Sequence, residues 1–398
     1  MYPTQLHSYL LWRSTVPPDP QSLAQRRYTA IASLFPAVMA GIFVFGWWAG
    51  VVILAATLSS LATDIVTHKY IYKDSPGTSD GTWFLTGLLL ALMMPPNVPL
   101  WVPILGGIVA VFVGKHYLSV DGTPLLQPAA LGLFALHVVG ILAMIFMSYN
   151  PMNPSERWPV LSRGIETSAE SVREGRFIGE FFGGDVRNSI SRQEYREHLN
   201  KSSDAPPPAV HGPRPLELVA KDPSRPLSEY TKGKEDRYEW LDLLLGYVPG
   251  PIASSGLALA FGILLLVFAR AHTWVIPFFA IVTMAGAMWA FAAMFGTSRF
   301  HPANIPIHLL TGSTILGIFY FAADPTVAPR SFLGKVYAGI AFGLIEVFFR
   351  AFFLTEGIVL TIVIVQGLSF VIDQYLAPPV EDRAPSTASL TPSSLGRL

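Results

Sequence analysis

Hydrophobic residues in this chain are gathered into long continuous runs, rather than alternating as in strands or marking one face of a surface helix. A helix needs about 20 apolar residues to cross a bilayer. The pattern therefore predicts an all-α polytopic membrane protein with about ten transmembrane helices, those at 80–94 and 305–322 being short. The predicted helices are residues 28–46, 48–66, 80–94, 100–118, 128–148, 252–269, 273–294, 305–322, 335–354 and 357–376.

A long polar segment divides the apolar runs into two groups of five. We expect a cytoplasmic segment at 1–27, five-helix repeats at 28–148 and 251–376, a polar extramembrane insert at 149–250 and a disordered tail at 377–398. Residues 1–27 contain no cleavable apolar core, so no signal peptide is predicted.

Composition supports the membrane assignment and excludes several kinds of chemistry. Only 14% of the residues are charged, against roughly a quarter in soluble domains. Lys+Arg and Asp+Glu both number 27, so no charge excess indicates a nucleic-acid partner. There are no cysteines, which excludes disulfides, thiolate metal sites and cysteine nucleophiles. We predict no metal site from the sequence.

Orientation follows from the short loops. Loop 67–79 and the segment from Arg330 to Lys335 are basic, whereas loop 95–100 has no Lys or Arg, with Arg299 as an exception to the pattern. The positive-inside rule then places the N-terminus in the cytoplasm and the insert outside, in a bacterial-type inner membrane. Roughly half of the 27 basic residues lie in the insert, but long loops translocate regardless of their charge.

The two groups of helices resemble copies of one unit. Phe84-Leu85-Thr86-Gly87, followed by Pro95-Pro96, parallels Leu309-Leu310-Thr311-Gly312, followed by Asp324-Pro325. Five crossings per copy make the repeats inverted, and such repeats often build a binding site at interrupted helices near the midplane. The two Thr-Gly pairs are candidate site residues. Alternatively, Thr-Gly simply allows close helix packing.

Ionisable residues within apolar segments are costly and are functional candidates. Those in or near the predicted helices are Asp64, Lys115, Glu346, Arg350 and Asp373. Most lie near helix ends, where long side chains reach the interface. Glu346 and Arg350 are four residues apart and are predicted to pair. Asp324, which precedes Pro325, could coordinate a cation or set the turn.

Further motifs occur in a fixed order along the chain. They are Gly46-Trp47, Ser79-Asp80-Gly81, Leu85-Thr86-Gly87-Leu88-Leu89-Leu90-Ala91-Leu92, Pro95-Pro96, Gln127-Pro128-Ala129, Trp240-Leu241-Asp242-Leu243-Leu244-Leu245-Gly246-Tyr247-Val248-Pro249-Gly250, Ala323-Asp324-Pro325, Arg350, Glu356-Gly357 and Ile372-Asp373-Gln374-Tyr375. This series resembles RnfD of the Rnf electron-transport complex, which is related to NqrB of the sodium-pumping NADH:quinone reductase. The resemblance covers roughly residues 25–376, but most of the insert does not match.

The resemblance implies a subunit of an ion-motive redox complex, with other integral-membrane subunits as partners. It implies ten helices in two inverted halves, similar to urea transporters, and electron flow between ferredoxin, NAD or quinone coupled to sodium or proton movement. It also implies flavin, with FMN esterified to a Thr in a Ser-Gly-Ala-Thr motif outside the membrane. Asp80, Thr86, Gly87, Thr311, Gly312 and Asp324 are the candidate cofactor-binding positions among the helices.

This chain departs from the family at the flavin motif, where it reads Ser228-Glu229-Tyr230-Thr231. Ser228 and Thr231 keep the spacing, but the bulk of Tyr230 and the charge of Glu229 oppose the approach of an FMN phosphate. Thr231 is therefore expected to be an ordinary solvated residue. Gln127 also stands where the family usually has Asn.

Three hypotheses remain. The chain could be a flavin-bearing electron-transfer subunit, with flavin bound covalently or held noncovalently between its helices. Alternatively, it could be a cofactor-free docking subunit, which the long charged insert suits. An ion or small-solute channel of urea-transporter-like fold is the third, although no ring of carboxylates supports it.

Overall fold

The computed structural model describes residues 20–72, 81–96, 98–120, 123–146, 244–246, 250–295, 300, 304–310, 313–352 and 357–376. Five of the candidate residues lie outside these ranges, namely Asp80, Ser228, Thr231, Thr311 and Gly312.

In its described ranges, the first unit is helical apart from one short hairpin. Its helices are α1 (Pro20–Phe45), α2 (Trp47–Thr67, continued by a π-helical turn His68–Tyr72), α3 (Thr82–Leu92), α4 (Trp101–Val109, continued by a π-helical segment Ala110–Tyr117) and α5 (Pro128–Phe146). Two short strands, β1 (Ser119–Val120) and β2 (Thr123–Pro124), pair antiparallel between α4 and α5, with Ser119 opposite Pro124.

The second unit has two described helices within the segment 305–322 that the sequence predicts as one, and residues 311–312 between them lie outside the described ranges. Its helices are α6 (Gly256–Phe268), α7 (Val275–Phe295), α8 (Ile305–Leu310), α9 (Thr314–Leu316, continued by a π-helical segment Gly317–Ala322), α10 (Phe332–Phe352) and α11 (Ile358–Leu376). α1 begins at Pro20, within the predicted N-terminal segment rather than at residue 28; the other described helices begin within a few residues of predicted apolar runs or inside them.

Four helices within the described ranges are long and apolar enough to cross a membrane. They are Ala24–Phe45, Trp47–Tyr70, Val275–Phe295 and Phe332–Phe352. By contrast, the 11 residues of α3 extend about 17 Å, well short of the ~30 Å hydrocarbon core. Large side chains such as Phe43, Phe268 and Trp289 point outward from the bundle. Exposed apolar surface of this kind suits contact with lipid.

Helix pairings recur in the two units. In the first, α2 packs against α3 and α4, and α4 packs against α5. In the second, α7 packs against α8, α9 and α10, and α10 packs against α11. Contacts of α1 with α6 and of α5 with α11 join the units.

Glycines allow the closest of these approaches. A Cβ atom on Gly87 of α3 would lie 2.6 Å from Thr57 Cα of α2, and one on Gly343 of α10 would lie 2.7 Å from the Met284 nitrogen of α7. Small residues commonly bring helix backbones together in membranes. The lack of room for a Cβ at Gly87 is what the packing alternative requires.

Candidate functional site

A buried group of hydrogen bonds, the junction network, joins the two units where α5, α9 and α11 meet. Gln127 Nε2 donates to the Tyr320 carbonyl at 3.3 Å and to Asp324 Oδ2 at 3.2 Å. The Gln127 backbone N–H donates to Gln366 Oε1 at 2.9 Å. Gln366 Nε2 in turn donates to the Phe321 carbonyl at 3.1 Å. One amide on α11 thus ties the first unit to the end of α9.

Asp324 sets the turn that follows α9. Its Oδ1 accepts from the Thr326 backbone N–H at 2.9 Å and from the Thr326 hydroxyl at 2.8 Å. This is the local side-chain-to-backbone contact typical of Asp in turns. Because Oδ2 accepts from Gln127, both carboxylate oxygens already have protein partners. The geometry therefore favours the turn-setting role over cation coordination.

Gln127 leaves one acceptor available in the junction network. The residue is buried, and among the described residues its Oε1 has no hydrogen-bond partner. Buried polar atoms nearly always have a partner in the protein or in bound water. Oε1 can therefore accept a hydrogen bond from a ligand or a water molecule.

The junction network extends to α1 and to the connection between α6 and α7. The Ser33 hydroxyl of α1 donates to the Tyr320 hydroxyl at 3.0 Å. The His272 ring lies 6.2 Å from the Tyr320 ring, centroid to centroid. Burial lowers the pKa of His272, which the charge of Asp324 opposes and that of Arg26 reinforces. The imidazole is therefore neutral at pH 7.

A second buried group, the Arg350 network, joins α10 to α8, α9 and α11. Arg350 donates from Nε to Glu346 Oε1 at 2.7 Å, from one terminal nitrogen to Thr314 Oγ1 at 2.6 Å, and from the other to the His308 carbonyl. Thr361 of α11 donates to Glu346 Oε2 at 2.9 Å. The predicted Glu346–Arg350 pair is confirmed. Its cation donates to a backbone carbonyl of α8, on His308.

A third group, the Asp64 cluster, lies between the C-terminal ends of α2 and α4. Asp64 is fully buried, and its two oxygens lie 2.9 and 3.0 Å from Lys115 Nζ. His116 Nε2 is 2.9 Å from Asp64 Oδ1, and His68 Nε2 is 3.9 Å from the same oxygen. Sequence reasoning singled out Asp64 and Lys115 but missed both histidines. The available signal was the four-residue spacing of Asp64 and His68.

Thr86 lies apart from these groups, buried on α3. The C-terminal end of α3 instead meets the backbone of the second unit. Ile252 N–H donates to the Met94 carbonyl at 2.9 Å, and Ala253 N–H donates to the Leu92 carbonyl at 3.1 Å. These bonds supply donors to carbonyls that a helix end leaves unsatisfied.

Comparison with known proteins agrees with this architecture. The chain matches the NQR2, RnfD, RnfE family over residues 13–381. It is 28% identical over 324 residues to the D-subunit of the ion-translocating oxidoreductase complex of Rhodobacter capsulatus, covering 81% of this chain and 80% of that protein. It is 24% identical over 362 residues to the D-subunit of the proton-translocating ferredoxin:NAD(+) oxidoreductase complex of Clostridium ljungdahlii, covering 90% and 91%. The chain therefore belongs to the NQR2, RnfD, RnfE family.

Proposed function

We propose that this chain is a membrane subunit of an Rnf-like ion-translocating oxidoreductase complex, and that it carries no covalent flavin on Thr231. Its family and the names of its relatives support the first part. The observation that carries the proposal is the junction network, because buried polar groups in a membrane bundle are costly and mark a part that matters to function. This network holds the two units in one fixed arrangement, to which neighbouring integral-membrane subunits can bind.

The proposed topology has ten crossings in two inverted repeats, with the N-terminus inside and the insert 149–250 outside. Hydrogen-bonded pairs from the two units support it, because each pair falls on a single side of the membrane in this topology. Met94 and Ile252 are both on the outer side, and Gln127 and Asp324 are both on the cytoplasmic side. The recurrence of the same helix pairings in both units supports the repeat.

The expectation about Thr231 rests on the chemistry of its neighbours. An FMN phosphate ester needs room for a dianion close to the backbone. The Glu229 carboxylate would repel that phosphate, and the Tyr230 ring would fill the space beside it. Covalent attachment is therefore disfavoured.

A second candidate function is electron transfer by a noncovalently bound flavin. The Gln127 Oε1 acceptor favours it, because that buried atom has no partner within the described part of the chain and the flavin ring system carries an N–H donor. A flavin bound there would supply one- or two-electron chemistry, while the protein would position it and exclude water.

The test is to co-express the chain with the other subunits of its complex and purify the assembly in detergent. We expect other integral-membrane subunits to co-purify, and a denaturing gel of this chain to be dark under ultraviolet light. Fluorescence that is lost in Thr231→Ala but kept in Thr167→Ala, the matched change at the other Thr of the insert, would overturn the expectation. A chain that purifies without any membrane partner would contradict the subunit role.

The second candidate is decided by the same preparation. Flavin released on denaturation, and reduced in amount in Gln127→Leu, would support a noncovalent site at the junction network. A Gln127→Leu complex with the flavin content of the wild type would exclude the network as the site.

A further inference from the structure

The Asp64 cluster has no part in the function proposed above, yet it gathers three metal-ligand groups in a small volume. A carboxylate oxygen of Asp64, a ring nitrogen of His68 and a ring nitrogen of His116 lie within 4.8 Å of one another. The two imidazole rings are 5.2 Å apart, centroid to centroid, and meet edge to face. Both rings direct Nε2 towards the same carboxylate oxygen.

We infer that Asp64, His68 and His116 form a binding site for one divalent transition metal ion. Imidazole and carboxylate are the ligands that Zn²⁺ and its neighbours in the series prefer when thiolates are absent. Around a tetrahedral Zn²⁺ with bonds of about 2.0–2.1 Å, neighbouring donor atoms lie roughly 3.3 Å apart. The distances from Asp64 Oδ1 to the two Nε2 atoms, 2.9 and 3.9 Å, bracket that value.

Access to the site comes from the His68 side. The side chain of His68 is 19% exposed, whereas that of His116 is 8% exposed and Asp64 is fully buried. A small rotation of the more exposed imidazole would bring all three donors to coordination distance. Three protein ligands leave a fourth position for water, as in open metal sites.

Both α2 and α4 have π-helical winding where they carry residues of the Asp64 cluster. The π-helical turn of α2 begins at His68, and the π-helical segment of α4 includes Lys115 and His116. Consecutive residues of a regular α-helix do not share a face, yet both Lys115 and His116 contact Asp64. Single-turn π insertions are frequent at functional sites, and the five-residue turn that begins at His68 agrees with a ligand-binding role.

Lys115 would compete with a metal ion for the Asp64 carboxylate. Its ammonium group contacts both Asp64 oxygens and supplies the positive charge that a buried carboxylate requires. A metal ion would have to displace it. Because the side chain is 14% exposed and its stem is flexible, Lys115 can turn towards the surface and leave the carboxylate to the metal.

The experiment uses the full-length chain, purified in detergent with a tag that contains no histidine. Co²⁺ serves as the probe because its visible absorption reports coordination, and Zn²⁺ is measured by displacing it. We expect one Co²⁺ per chain, displaced by Zn²⁺. His68→Ala or His116→Ala should weaken binding by more than about tenfold, since loss of even a supporting partner costs about 10- to 100-fold. Lys115→Met should strengthen binding by about tenfold or more, because it removes the competing cation.

His137→Ala is the matched control. His137 lies on α5, with Nδ1 bonded to the Leu133 carbonyl at 2.8 Å, so its removal should leave Co²⁺ affinity unchanged. The absence of coordinated Co²⁺ in both the wild type and Lys115→Met would overturn the inference. So would wild-type affinity in both histidine variants, which would place the ion elsewhere. Lys115→Met retains all three ligands, so it tests the site even if a histidine variant fails to fold.

Discussion

Arg350 shows how this protein keeps a charge inside an apolar bundle. An isolated guanidinium there would cost several kcal/mol. Instead, its donors reach a carboxylate, a hydroxyl and a backbone carbonyl, on Glu346, Thr314 and His308. Arg350 therefore stabilises the packing of α10 against α8 and α9, because these helices supply the acceptors that its guanidinium requires.

Removing either Glu346 or Arg350 alone should destabilise the protein much more than replacing both. We expect Glu346→Ala to destabilise the chain by about 3–5 kcal/mol, because it leaves Arg350 buried without a counter-charge. Thr314→Val removes the hydrogen bond from Arg350 and the longer one to the His308 carbonyl, and should cost about 1.5–3 kcal/mol. The combined change Glu346→Leu with Arg350→Met should recover part of the loss. Thermal unfolding in detergent, followed by fluorescence-detected size exclusion, measures the order.

The control for that series is Arg270→Met, at an exposed arginine after α6. It should change stability by no more than about 0.5 kcal/mol. Equal unfolding temperatures for Glu346→Ala and Arg270→Met would show that the Glu346–Arg350 pair contributes little to the stability of the protein.

At this scale, sequence reasoning succeeded where spacing along one helix decides a contact. Glu346 and Arg350 are four apart on α10, so their pairing could be predicted. The contact between Asp64 and His116 depends on how α2 packs against α4 and on π-helical winding. Neither is visible in the local sequence pattern.

Among the elements, the packing of α3 on α2 depends on the absence of a side chain at one position. The site that a Cβ of Gly87 would take is only 2.6 Å from the Thr57 Cα. That neighbour is backbone and cannot rotate away. Any side chain at residue 87 must push the two helices apart.

A pair of alanine substitutions separates this packing effect from helix propensity. Gly87→Ala should destabilise the chain by about 1–3 kcal/mol through overpacking. Gly286→Ala, on α7, meets no atom of the described residues within 4 Å and should be neutral or stabilising by up to about 1 kcal/mol, since Ala favours helix. Unfolding temperatures of the two variants measure the difference. A Gly87→Ala protein as stable as Gly286→Ala would contradict the close approach.

The positions of the helices were predictable because a membrane-length apolar run leaves few alternatives. The bonds of Arg350 to the His308 carbonyl and the Thr314 hydroxyl were not predictable, because these partners are 42 and 36 positions away along the chain.

For the molecule as a whole, the contacts between units connect residues far apart in the chain. Gln127 and Asp324 are 197 positions apart, so no window of sequence could have paired them. The sequence alone did predict a repeat, because the two Thr-Gly segments resemble each other. The recurring helix pairings now give that proposal a physical basis.

The ten-crossing topology predicts which positions face the same side of the membrane. Because the chain has no cysteine, single introduced cysteines can be labelled without background. Tyr117 and Phe268, exposed at the ends of α4 and α6, are separated by two crossings in this topology and should both react only from the cytoplasm. Ser202, in the insert between those crossings, should react with an impermeant maleimide added to intact spheroplasts, as should exposed Met294 at the end of α7.

The unmodified chain should remain unlabelled under both conditions. Labelling of the Tyr117 and Ser202 variants from the same side would remove one crossing between them. The two halves could not then be inverted copies, since an inverted pair requires an odd number of crossings in each repeat. With that crossing removed and the others kept, Gln127 and Asp324 would fall on opposite sides of the membrane, which the 3.2 Å hydrogen bond between them does not permit.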